Sequence, residues 1–141
     1  MGAYDYARTY RANSVLTASP GQLVLMLYDG ALRSLALARE AFGRAPGDVG
    51  RLAVINQHLL KAQAILNELQ GTLNFDAGGD FARQMDGLYG YYHRRLVEAN
   101  LRKHVEPVVE VERLLTEIRN AWAEMLGKRD SAAPMPVQGV A

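Results

Sequence analysis

The sequence predicts an all-α protein, an antiparallel four-helix bundle with an amino-terminal arm or short extra helix. Three observations predict it. Alanine (20) and leucine (19) together exceed a quarter of the 141 residues, a composition that favours helix. Glycine and proline break the chain sparingly, at Gly43 to Gly50, at Gly71 to Gly79 and, without glycine, between Asn100 and Pro107. Between the breaks lie four segments of similar length, each with apolar residues at alternating three- and four-residue steps. Such stepping on four segments with short connections reads as a bundle, and nothing reads as a strand.

Segment one opens on Ser19-Pro20-Gly21-Gln22. Ser19 is placed to cap, Pro20 falls at the first helical position where its missing N–H costs nothing, and Gln22 completes a capping box. Segment two carries Leu52, Ile55, Leu59, Ala62, Leu66, Leu69 and Leu73 on one side. Segment three carries Phe81, Met85, Leu88, Tyr92, Leu96 and Ala99, with Asp80 as its expected cap. Segment four carries Val108, Val111, Leu115, Ile118, Trp122 and Met125, with Pro107 in its first turn. The domain division that follows is an arm over residues 1–18, a bundle over 19–128 and a flexible tail over 129–141.

Composition excludes several classes of function. Sixteen Lys+Arg against fifteen Asp+Glu leave a net charge of +1, which offers no field for nucleic acid or an anionic membrane. With no cysteine there are neither disulfides nor thiolate metal sites. The start has no basic or apolar targeting region, and no stretch is apolar enough to span a membrane, so the expected location is cytoplasmic. No glycine-rich phosphate loop or nucleophile elbow appears. His58, His93 and His104 lack a carboxylate or histidine one helical turn away, so no metal face forms. The reading is of a non-enzyme with no catalytic residue, cofactor or metal.

Segment one is too apolar for its place. Segments three and four project apolar arcs of about 160° and about 140° at about 100° per residue. Segment one leaves only a narrow polar strip of Gln22, Asp29, Arg33 and Glu40, with Leu25 on its outer side. Three neighbouring helices cannot cover the rest, and an uncovered apolar patch marks an interaction site. The preceding segment, with Tyr4, Tyr6, Tyr10, Val15 and Leu16, is the obvious cover, either permanently docked or displaceable. In segment two Asn56, Gln63, Asn67 and Gln70 form an amide ladder that either faces solvent or hydrogen-bonds a docked peptide. Arg95 falls within the apolar arc of segment three and needs a carboxylate, with Asp29 and Glu112 as candidates. Gly87 and Gly90 read as sites of close helix approach or mild bending.

Tyr10-x-x-Asn13-Ser14-Val15, Thr17-Ala18-Ser19-Pro20 and Leu25-Met26-Leu27-Tyr28-Asp29-Gly30 resemble stretches of a known family, the flagellin-specific export chaperones called FliS. Lys61-Ala62-Gln63, Glu68-Leu69 and Leu73-Asn74 follow. Tyr89-x-Tyr91-Tyr92-x-x-Arg95-Leu96-x-x-Ala99-Asn100 and Arg119-x-Ala121-Trp122 complete the set, in family order over residues 6–126. The resemblance implies a cytoplasmic helical bundle that holds the disordered carboxy-terminal region of flagellin as helices in hydrophobic grooves. It also implies that flagellin is kept from polymerising and delivered to the flagellar type III secretion gate. The gate, a co-chaperone or an anti-sigma factor are the implied further partners, with neither nucleic acid nor membrane insertion. Client-binding or groove-shaping roles carry over to Tyr10, Val15, Leu25, Tyr28, Asp29, Gln63, Leu66 and Tyr89. The arm residues Tyr6, Tyr10, Val15 and Leu16 become a displaceable cover. The alternative is a self-associating structural bundle, such as a homodimer, with no client.

Overall fold

The computed structural model describes residues 19–132. Four helices fill that span: α1 (Pro20–Phe42), α2 (Arg51–Gly71), α3 (Phe75–Arg102) and α4 (Glu106–Ala132). The described residues are all helix and connection, as expected, with no strand among them. The arm, with Tyr6, Tyr10, Val15 and Leu16, lies outside the described residues. So does the chain beyond Ala132, although α4 runs past Gly127 into the segment read as tail.

Each helix packs on the next, and α4 returns to α1 to close a four-membered ring. Polar contacts along the α1–α4 seam show that the two run antiparallel. Gly21 O accepts from Trp122 Nε1, Asp29 pairs with Arg119, and Arg39 pairs with Glu112. Between α2 and α3, Asn56 meets Asn100 and Gln70 meets Asp86, again in opposite directions. The short connections leave no room for any other topology.

Local chemistry sets the ends. Ser19 Oγ accepts from Gln22 N and Gln22 Oε1 accepts from Ser19 N, both at 3.2 Å, so the capping box forms around Pro20 as read. The start of α3 differs from expectation. Its cap is Asn74, whose Oδ1 accepts from Ala77 N at 3.0 Å, and one turn later the helix kinks at Gly79, with φ 52 and ψ −125. A positive φ suits glycine, which has no Cβ to clash. Asp80, the expected cap, stands just after the kink and pairs with Arg83.

The core is built from the predicted stripes. Leu35, Ile55, Leu59, Leu66, Leu69, Leu96, Val108, Val111 and Leu115 are fully buried, and Ala31, Ala38, Ala62 and Ala99 let the helices approach. The stripes are not covered everywhere. Phe81 near the start of α3, Leu88 at its middle, Met125 near the end of α4 and Leu52 at the start of α2 are 58%, 39%, 43% and 55% exposed. Close approach is supplied elsewhere than expected. A Cβ on Gly21 would meet Leu126 Cδ2 at 2.7 Å, whereas one on Gly87 would meet nothing and one on Gly90 only the Arg94 guanidinium.

Arg95 is held by neither expected carboxylate. Its Nε donates to Glu110 Oε1 at 2.6 Å and its Nη1 to Glu98 Oε1 at 3.0 Å. Asp29 and Glu112 are occupied by Arg119 and Arg39 across the α1–α4 seam. A wheel places Arg95 within the apolar arc, yet its side chain is only part-buried; Glu98 lies one turn on along its own helix, and the rotation of α4 decides that Glu110 is the carboxylate across the interface. Tyr91 also donates to Glu110, at 2.6 Å, and the two donors hold that carboxyl below the ordinary glutamate range.

Two groups thereby couple stability to acid. Burial depresses the imidazole of His93, whose Nε2 is buried without a partner among the described residues. The unfolded chain protonates this histidine at the ordinary imidazole pKa of about 6.5, and the folded chain only at lower pH. The unfolded state then binds more protons, so stability falls as pH drops through and below that value. Glu110 adds a second loss further down, below the ordinary glutamate pKa of about 4.3. Thermal melts from pH 8 to pH 3 should show two declines, with His93→Gln flattening the first and Glu110→Gln the second.

Candidate functional site

Two apolar grooves flank the first half of α1. The first, about 310 Å³, lies where the kinked start of α3 meets α1 and α4. Val24 and Tyr28 come from α1, Leu73 and Asn74 from the connection, Phe81, Met85 and Tyr89 from α3, and Trp122 from α4. The turn Phe75–Gly78 departs from the line of α3 at Gly79, and Phe81 beyond it is uncovered. Trp122 is fixed as a wall because its indole N–H donates to Gly21 O at 2.9 Å.

Tyr28 and Tyr89 both line this groove, and their hydroxyls lie 2.6 Å apart. Burial pushes both phenols upward, so both stay neutral through the physiological range. Tyr92 stacks edge-on against Tyr89 at 6.5 Å between ring centroids, and burial raises it to about 12. The aromatic lining is rigid, uncharged and apolar, with a polar contact only at its hydroxyls.

The second groove, about 620 Å³, lies between α1 and the end of α2. Leu23, Met26 and Leu27 line it, and Asp29, Arg33, Glu68 and Thr72 form its polar part. Leu23, Leu25, Met26 and Leu27 are all only half-buried and Leu37 is 40% exposed. The excess of apolar surface expected on this helix is therefore present among the described residues.

The structure brings together two of the residues carried over from the resemblance, Tyr28 and Tyr89. Asp29 lines the second groove with its carboxylate already bound by Arg119. Leu25 and Gln63 are half-buried and line neither groove, and Leu66 lies wholly in the core with no surface to offer a partner. Tyr10 and Val15 fall outside the described residues. In the amide ladder, Asn56 accepts from Asn100 and Gln70 donates to Asp86, so its two ends hold α3 rather than face a guest. Phe81, Trp122 and Val24 went unassigned as groove residues. Their signal was the adjacent pair Gly78–Gly79, which lets the backbone leave the bundle just where the α3 stripe begins.

The site offers shape and apolar surface rather than reactive groups. No cluster of His, Asp or Glu among the described residues can hold a metal ion. No described helix is long and apolar enough to cross a membrane.

Comparison with known proteins agrees with this picture. The family model described as "Flagellar protein FliS" matches residues 2–129. The flagellar secretion chaperone FliS of Bacillus subtilis (strain 168) is 40% identical over 117 residues, covering 83% of each chain. Its counterpart in Salmonella typhimurium is 38% identical over 128 residues, 90% of this chain and 91% of that one. The protein of the same name from Escherichia coli (strain K12) is 34% identical over 125 residues, 89% of each. The chain, a four-helix ring with apolar grooves, is matched by the family model over nearly its whole length and belongs to the FliS family of flagellar secretion chaperones, which are not enzymes.

Proposed function

We propose that this chaperone holds the disordered carboxy-terminal region of flagellin as helices in its apolar grooves. Bound in this way in the cytoplasm, flagellin is kept from polymerising and is delivered to the flagellar type III secretion apparatus. The observation that carries the reading is the first groove, where a phenylalanine 58% exposed shares the lining with two tyrosines and a tryptophan. Amphipathic helices dock into such grooves through anchors one turn apart. Ordering a disordered client costs several kcal/mol, so the complex must bury more than a standard interface, and the client must run along the bundle well beyond the two grooves that anchor it. Release is passive, completed when the chaperone is stripped at the export gate.

The arm supports the same reading. Residues 1–18 join the bundle at Ser19, two residues from Gly21 and its contact with Trp122. Their tyrosines and aliphatic residues suit the groove beside that junction, so the arm covers it until flagellin displaces it.

The test mixes the full chain with a synthetic flagellin carboxy-terminal peptide. Far-ultraviolet circular dichroism should show more helix than the sum of the parts, and calorimetry should give saturable binding. Removing residues 1–18 should raise the affinity severalfold. No helix gain and no heat would overturn the client reading, and concentration-dependent light scattering without client would favour the self-associating bundle.

A further inference from the structure

The two tyrosines that line the first groove carry between them a hydroxyl proton with no acceptor among the described residues. The hydroxyls of Tyr28 and Tyr89 are 2.6 Å apart, and each residue is 2% exposed. Two phenols carry two O–H donors, and the contact between them uses one. Neither hydroxyl has another hydrogen-bond partner among the described residues. None of the polar side chains along the groove accepts from either phenol, and each makes its hydrogen bond elsewhere. Asn74 Oδ1 accepts from Ala77 N, the Thr72 hydroxyl donates to Leu69 O, and the Trp122 indole donates to Gly21 O. A buried donor left unmade loses its hydration and gains nothing in return.

We infer that the groove reads an uncharged oxygen acceptor on the client, set beside the apolar side chains that fill it. The acceptor is a carbonyl freed at the end of a client helix, or the side-chain oxygen of Asn, Gln, Ser or Thr. This deepens the flagellin reading above and rests on it. A carboxylate does not fit, because no Lys or Arg lines the groove and an ion entering it would shed water without a countercharge. A helix end does fit, since the last four carbonyls of any helix lack intrahelical partners. Apolar filling then supplies grip, and the single O–H selects the register in which the client lies. A client shifted by one residue leaves the donor unpaired again.

The experiment compares the wild-type chain with the double variant Tyr28→Phe, Tyr89→Phe, using the same flagellin peptide. Removing both hydroxyls leaves no orphan, so the thermal midpoint should stay close to wild type. Peptide affinity should fall about three- to tenfold, the worth of one net hydrogen bond. Each polar residue of the peptide is then replaced by an apolar residue of similar shape and measured against both chains. A replacement that erases the gap between the chains identifies a side-chain acceptor. A gap that survives every replacement identifies a backbone carbonyl. If the double variant binds as tightly as wild type, or more tightly as it would were the arm the true occupant, the inference is overturned. Failure of the wild type to bind the peptide at all would instead sink the client reading itself.

Discussion

Phe81→Glu is expected to weaken binding of a flagellin carboxy-terminal peptide by about thirtyfold or more, the loss that marks a binding hot spot. The side chain is 58% exposed, so the folded chain gives up little on losing it. In the complex proposed above the same position would be buried against apolar client side chains, where a carboxylate must shed water with no cation in the lining to meet it. Calorimetric titration gives the affinity and a thermal melt the stability. A variant that binds normally would place the client elsewhere, and one that unfolds would make Phe81 part of the core.

Leu66→Ala is expected to do the reverse. Leu66 is fully buried on α2 in the core cluster with Leu35, Leu59 and Leu69. Truncating a leucine so placed costs about 2–5 kcal/mol through lost burial and the cavity left behind. For a domain of this size that lowers the thermal midpoint by roughly 10–20 °C. At a temperature where both chains are folded, client affinity should be within a few-fold of wild type. A large loss of affinity at full foldedness would show that Leu66 shapes the grooves rather than only filling the core.

What could be read from the sequence was what depends on near neighbours along it. The capping box at Ser19 and Gln22, Pro107 in the first turn of α4 and the buried run Ile55–Leu59–Ala62–Leu66–Leu69 all rest on spacings within one or two turns. The apolar excess of α1 was legible for the same reason. Partners across the bundle were not, because they depend on how far each helix is rotated about its axis. Arg95 is the clear case. Its carboxylate is Glu110, two residues from the candidate Glu112, and those two residues turn α4 through about 200°. The groove itself escaped notice because it is made by an absence of cover. Phe81 sits in a perfect stripe, and only the kink at Gly79 shows why the described helices leave it more than half exposed.

Trp122 bears on when the chaperone becomes competent. Its indole reaches back across 101 positions to Gly21, so one wall of the tyrosine-lined pocket comes from the far end of the fold. During synthesis α1, α2 and α3 emerge before that wall exists. A nascent chain halted after α3 would expose greasy helices without a formed receptor, as prone to stick to its siblings as to a guest. Competence arrives in one step when the last helix leaves the ribosome, which makes truncation products not weak chaperones but hazards.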